Sequence, residues 1–140
     1  MNLAATHKLA KQIAHRLKAN NGGVVLLHGG LGAGKTTLVR EIVQILCPEA
    51  LPASPTYTII NEYADNIFHA DLYRLWRTEN SDTPHDEAVA EIMESTGLAD
   101  LCVAGNYVFI EWPNGLKIPG ALEITINVKE DGEREFVVAG

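Results

Sequence analysis

A lysine, a pair of threonines and a run of glycines carry the densest chemical information in this chain. Gly29-Gly30-Leu31-Gly32-Ala33-Gly34-Lys35-Thr36 satisfies the pattern G-x-x-x-x-G-K-[ST] without a gap. Glycines at this density let backbone N–H groups converge on phosphate oxygens at the positive end of a helix dipole. In such a loop Lys35 reaches the β- and γ-phosphates of a nucleoside triphosphate, and the Thr36 hydroxyl holds Mg²⁺. Short patterns also arise by chance, so the flanks decide. Val24-Val25-Leu26-Leu27-His28 is an unbroken apolar run of strand length before the loop, and Leu38, Val39, Ile42, Val43, Ile45 and Leu46 recur at helical spacing after it. Strand, glycine loop and helix form the context that phosphate binding requires.

Hydrolysis needs more than a cradle: an acid that orients Mg²⁺ or water must stand beside the loop. Two carboxylates hold the expected position at the end of an apolar strand. Glu111 follows Tyr107-Val108-Phe109-Ile110, and Asp71 follows Ile67-Phe68-His69-Ala70. Glu111 stands where the Walker B acid is expected, although that acid is usually aspartate. Either Glu111 acts on the attacking water while Asp71 holds Mg²⁺, or the roles are reversed; Asp71 also has the alternative of capping a following turn. Arg74 and Arg77 are the only basic residues between Arg40 and Lys117, and so the candidates for a cis arginine that offsets transition-state charge. Tyr57, Tyr73, Trp76 and Trp112 are aromatics that could stack on adenine, with core or interface packing as the alternative for each.

The elements that must position these groups follow from composition and periodicity. The chain has 140 residues, 46% apolar and 21% charged, which is read as one globular nucleotide-binding domain over 1–140. No apolar run approaches the roughly 20 residues that span a bilayer. The N-terminus carries no signal-peptide pattern, so a cytoplasmic protein without a membrane partner is expected. Cys47 and Cys102 form no metal or redox motif and are expected as reduced, largely buried thiols. Net charge is −7, yet residues 1–40 contain six basic side chains and no acid. The acidic remainder argues against a surface that grips DNA.

Thr6 is expected to cap a helix whose Leu9, Ile13 and Leu17 form one apolar stripe, and Asn20-Asn21-Gly22-Gly23 ends it. His28 is expected as a packed strand residue. Strands are read at Ile59–Tyr63 and Ile67–Ala70, joined as a hairpin through Asp65-Asn66. Residues 78–87 read as a mobile surface loop and Glu87–Ser95 as a helix. Leu122–Val128 alternates apolar and polar, as a strand with one wet face does, and Asp131-Gly132 leads to a C-terminal hairpin ending in Phe136-Val137-Val138. The sum is an α/β fold with two or three helices. It is a three-layer P-loop NTPase-like sandwich on a mixed sheet, with a parallel centre and antiparallel edges.

Three further motifs stand outside the loop: Ser54-Pro55-Thr56-Tyr57-Thr58, His69-Ala70-Asp71-Leu72-Tyr73-Arg74-Leu75 and Ile110-Glu111-Trp112-Pro113. With Gly29–Thr37, in that order and at this length, they make a chain that strongly resembles the bacterial TsaE family. These are small ATPases of the threonylcarbamoyladenosine tRNA modification pathway. The resemblance runs from about Thr6 to the C-terminus. It implies ATP and Mg²⁺ as ligands, bound through Gly29, Gly32, Ala33, Gly34, Lys35, Thr36 and Thr37. It implies that Thr56 and Tyr57 lie in a switch-like segment beside the γ-phosphate, and that Asp71 and Glu111 are the acids of Mg²⁺ binding and hydrolysis. Trp112 matches an aromatic near the nucleotide.

The implied partners are TsaB and TsaD, whose complex modifies adenosine 37 of ANN-decoding tRNAs, so that tRNA is reached indirectly. ATP hydrolysis sustains repeated turnover of that complex, and isolated family members hydrolyse ATP feebly. Two departures are visible. Gly30 replaces the aspartate that usually follows the first loop glycine, which makes the loop more flexible. Trp76–Ser95 lacks the usual Asp-Pro-Glu-Glu-Leu-like sequence and looks longer. A small-molecule kinase is the alternative reading, but such enzymes usually carry an arginine-rich lid and residues 78–87 contain no arginine. A GTPase would need N-K-x-D, which Asn127-Val128-Lys129-Glu130-Asp131 misses by an inserted valine.

Overall fold

The stripe of Leu9, Ile13 and Leu17 folds as helix α1 (Leu3–Ala19) in the computed structural model, which describes residues 3–50, 59–78 and 85–140. Thr6 does not cap this helix. Leu3, Ala4 and Ala5 are good helix formers that carry it past Thr6 toward the N-terminus, and the Thr6 side chain is buried on the packed face. After α1 come β1 (Gly23–His28) and α2 (Lys35–Leu46). Then follow β2 (Ile60–Ala64), β3 (Ile67–Asp71), α3 (Tyr73–Thr78) and α4 (His85–Ser95). The chain closes with α5 (Leu98–Leu101), β4 (Tyr107–Glu111), β5 (Leu122–Val128) and β6 (Arg134–Ala139). Five described helices replace the expected two or three. α3 and α5, six and four residues long, are too short to show a helical period. Of the mobile loop expected over 78–87, Thr78 belongs to α3 and His85–Glu87 to α4, while residues 79–84 lie outside the described residues.

The sheet order is β2-β3-β4-β1-β5-β6. β3, β4, β1 and β5 run parallel, while β2 and β6 pair antiparallel at the two edges through the expected hairpins. Because side chains alternate across a strand, Val25 and Leu27 of β1 join α1 and α2 in one core, with Phe109, Ile124 and Ile126. Leu26 points the other way and joins Val108, Ile110, Ile92 of α4 and Leu98 of α5 in a second core. Helices thus cover both faces of a sheet, which is the layered α/β arrangement expected of a P-loop NTPase-like fold. Glu123 and Asn127 of β5 stay exposed while Leu122, Ile124 and Ile126 are buried, so that strand has the one wet face its alternation implies. Among the described residues no helix is long and apolar enough to cross a membrane.

Candidate functional site

β1 ends at His28, and the chain then turns through the glycine loop into α2, whose first residue is Lys35. Two glycines are required by geometry. Gly34, at the helix N-cap, has φ +109°, a conformation costly for any residue with a Cβ. Gly29 has φ +150°, and a Cβ there would lie 2.9 Å from the carbonyl oxygen of Ile126 on β5. His28 is the last residue of β1, as expected. It is half-buried, and its Nε2 lies 3.0 Å from Glu123 Oε1 on the neighbouring strand.

Register supplies the acids. β3 and β4 are adjacent and parallel, with Asp71 opposite Glu111, and Glu111 is in turn opposite Leu27 at the end of β1. Both carboxylates therefore leave the sheet at the carboxyl ends of its strands, where open α/β sheets take their ligands. A cavity of about 260 Å³ lies there, lined by the loop from Gly30 to Thr37 together with Asp71, Glu111 and Trp112.

Glu111 is the electrostatic centre. It is 3% exposed, and its Oε2 accepts a hydrogen bond from Thr36 Oγ1 at 2.7 Å and pairs with His69 Nε2 at 2.5 Å. Burial disfavours its charge, but the His69 bond and charge, the Thr36 bond and the Lys35 ammonium together outweigh it and hold the carboxyl below the usual glutamate range. His69 is itself buried. Its Nδ1 lies 3.4 Å from the Tyr63 hydroxyl, and the two rings stack with centroids 6.1 Å apart. Burial is the main reason that the Tyr63 hydroxyl holds its proton more tightly than usual; Glu111 adds to this and Arg40 opposes it. The two ring nitrogens of His69 thus face the Tyr63 hydroxyl and the Glu111 carboxylate, so one line of contacts runs Tyr63, His69, Glu111, Thr36. His69 was not among the sequence candidates for the site. The alternation Ile67, His69, Asp71 already places it on the same strand face as Asp71.

Lys35 is folded back over its own loop. Its Nζ donates to the carbonyl oxygens of Gly29 at 2.5 Å and Gly30 at 3.1 Å, and sits 3.8 Å from the centre of the Trp112 ring. Burial lowers its pKa, with Glu111 and Asp71 pulling the other way. Trp112 has φ +58°, a rare conformation for a bulky residue and the sort of outlier that clusters at functional sites. Its carbonyl accepts the Trp76 indole N–H at 2.6 Å, and Tyr73 packs on its ring at 4.8 Å. Three of the four candidate aromatics thus gather beside the loop.

Asp71 fits both of its readings: it lines the cavity, and its Oδ1 accepts the Tyr73 N–H at 3.0 Å at the start of α3. Arg74 is exposed on α3. Thr56, Tyr57 and the side chain of Arg77 lie outside the described residues. Cys47 and Cys102 are free and partly buried, and burial pushes the Cys102 thiol up.

Among the described residues no three His, Cys, Asp or Glu side chains form a metal cage. Mg²⁺ needs none: it keeps several waters and takes one or two protein oxygens plus phosphate oxygens. The Thr36 hydroxyl and the Glu111 carboxylate, already within 2.7 Å of each other, are a hard-oxygen pair that fits this cation.

Comparison with known proteins agrees with this geometry. The model of the family described as "Threonylcarbamoyl adenosine biosynthesis protein TsaE" matches residues 1–136. A tRNA threonylcarbamoyladenosine biosynthesis protein TsaE from Rickettsia felis is 36% identical over 140 residues, covering 95% of this chain and 73% of the relative. The protein of the same name from Haemophilus influenzae is 34% identical over 121 residues, covering 84% of this chain and 69% of the relative. The crystal structure of Bacillus subtilis YdiB superposes with a TM-score of 0.63 at 27% identity, over 97% of this chain and 78% of that one.

Proposed function

The chain belongs to the TsaE family of threonylcarbamoyladenosine biosynthesis proteins, and from that premise we propose that it is an ATP-binding and ATP-hydrolysing subunit. Its ATP hydrolysis serves N6-threonylcarbamoyladenosine modification of tRNA at position 37, and it acts with the TsaB–TsaD complex. The observation that carries this reading is the meeting of two distant segments: Thr36 of the glycine loop lies 2.7 Å from the buried Glu111 at the end of β4. A loop that only turned a strand into a helix would have no use for a buried carboxylate aimed at its threonine.

The roles follow from the groups present. Bound Mg²⁺ would neutralise phosphate charge, and Thr36 with Glu111 or Asp71 would hold it. Loop N–H groups from Gly32 to Thr37 bind phosphate oxygens, with Gly29 letting the chain pass beneath them. Lys35 leaves the Gly29 and Gly30 carbonyls and the Trp112 ring to meet the β- and γ-phosphates. Of the two acids, Glu111 is better supported as the group that orients water or takes its proton. It is buried and held ionised by its neighbours, so the base form is present at neutral pH. Asp71, exposed beside it, is left to orient the cation's water shell. Thr56 and Tyr57 are proposed to contact the γ-phosphate, and Trp112 the nucleotide.

The test is genetic. In a bacterium depleted of its own TsaE, this chain should restore threonylcarbamoyladenosine in tRNA, measured by mass spectrometry of nucleosides. Lys35→Ala should not. Full restoration by Lys35→Ala would refute the ATPase reading.

A further inference from the structure

A residue from the far end of the chain grips the glycine loop. Arg134, the first residue of β6, donates from Nε to the carbonyl oxygen of Ala33 at 3.0 Å and from Nη2 to that of Gly32 at 3.0 Å. Its Nη1 donates to the carbonyl of Gly132 at 2.7 Å, in the turn that joins β5 to β6. That turn is closed by Lys129 N–H to Glu133 O at 2.8 Å and Gly132 N–H to Lys129 O at 2.9 Å. The guanidinium is thus anchored on one side and spans two successive loop carbonyls on the other. A rigid planar fork does this well, and a lysine, with a single ammonium, does it poorly.

We propose that Arg134 is a positioning residue for phosphate binding, holding the loop in its anion-receiving form from behind. This rests on the nucleotide-binding reading above. A trans peptide is planar, with its C=O and N–H pointing in opposite directions. Fixing the carbonyl of Ala33 therefore fixes the N–H of Gly34, and fixing that of Gly32 fixes the N–H of Ala33. With both carbonyls turned toward Arg134, both N–H groups point away from it. The Ala33 N–H is only loosely engaged meanwhile, with Gly30 O at 3.2 Å. The loop needs such support because its own residues are permissive: Gly29, Gly30, Gly32 and Gly34 impose little preference on the backbone.

The same guanidinium brings positive charge near the phosphates, since Nε lies 3.9 Å from where a Cβ on Gly34 would stand. Among the described residues it forms no ion pair that would cancel that charge. It touches the backbone of the loop from outside, so its effect is on nucleotide affinity before it is on the chemical step.

The experiment compares wild type, Arg134→Ala and Arg134→Lys by ADP titration calorimetry. In parallel, NMR follows hydrogen exchange at the Ala33 and Gly34 amides without nucleotide. Losing bonds from a charged donor should weaken ADP binding about tenfold in Arg134→Ala, with Arg134→Lys between it and wild type. Exchange at the two amides should quicken in the same order, while the amides of β1 and β4 keep wild-type rates. Unchanged ADP affinity in a folded Arg134→Ala protein would overturn the proposal. So would equal behaviour of the lysine and alanine variants, or weaker binding accompanied by quickened exchange throughout the sheet. If wild type binds no ADP, the nucleotide reading fails separately, and the exchange rates alone decide whether Arg134 holds the loop.

Discussion

Glu111 Oε2 accepts the Thr36 hydroxyl at 2.7 Å and lies 2.5 Å from His69 Nε2, so a single carboxylate oxygen joins the phosphate loop to a buried imidazole. The oxygen has two donors, on a side chain that is 4% exposed. Glu111→Gln keeps the shape and removes the charge. If Glu111 is the base, single-turnover ATP hydrolysis should drop by about a hundredfold or more, with ATP affinity within a few-fold of wild type. A variant that hydrolyses normally would shift the role to Asp71.

His69 holds that carboxylate in place, and His69→Ala removes its strongest partner. A buried charge left short of a donor costs about 1–3 kcal/mol, so chemical denaturation should show a loss of that size. A loss below about 0.5 kcal/mol would mean that the imidazole is incidental.

The same contacts set an acid sensitivity. The Glu111 carboxyl is held below the ordinary range in the folded protein, so the ionised form stabilises the fold at pH values above the ordinary glutamate pKa of about 4.3. That contribution is lost as pH falls from there through the folded-state value. Calorimetric Tm of nucleotide-free protein should therefore fall more steeply below about pH 5 in wild type than in Glu111→Gln. Parallel curves would show that Glu111 is not linked to stability.

Asp71 combines a cap with a place in the cavity, and two substitutions separate them. Asp71→Asn retains an oxygen for the Tyr73 N–H and loses only charge. Asp71→Ala loses both, at an additional cost of about 1 kcal/mol in stability. If Asp71 acts in the reaction, both variants lose ATPase activity while only the alanine loses stability. Wild-type turnover in Asp71→Asn would leave Asp71 as a cap alone.

Lys35 Nζ lies 3.8 Å over the Trp112 ring, and on the proposed mechanism it leaves that ring to meet the γ-phosphate. Adding ATP with Mg²⁺ should therefore change Trp112 fluorescence, read in a Trp76→Phe background to isolate it. Lys35→Ala should abolish the change. An unaltered Trp112 signal at saturating ATP would show that the ammonium stays where it is.

The parts of this site that could be read from sequence are those whose residues are neighbours in the chain. The loop declares itself by glycine spacing and by its flanks. The two acids declare themselves by ending apolar strands, and β5 shows its wet face by alternation. His69 escaped because its importance depends on the β3–β4 register, which sets it beside Glu111, a residue 42 positions away. Arg134 is further removed, 102 positions from the Gly32 that it holds. Only strand pairing around the whole sheet brings it there, and no local pattern marks it. α3 and α5 are too short for periodicity, and at Thr6 the helix propensity of Leu3, Ala4 and Ala5 overrides the capping chemistry of a threonine.

The proposed activity is that of an ATPase put to use by partner proteins. The most direct measurement is the rate of ADP release by the purified chain, alone and with the TsaB–TsaD complex, for wild type and Lys35→Ala. Release should be slow alone, should rise clearly on adding the complex, and should not rise with Lys35→Ala. A rate that the complex leaves unchanged, or an increase that survives Lys35→Ala, would contradict the proposed activity.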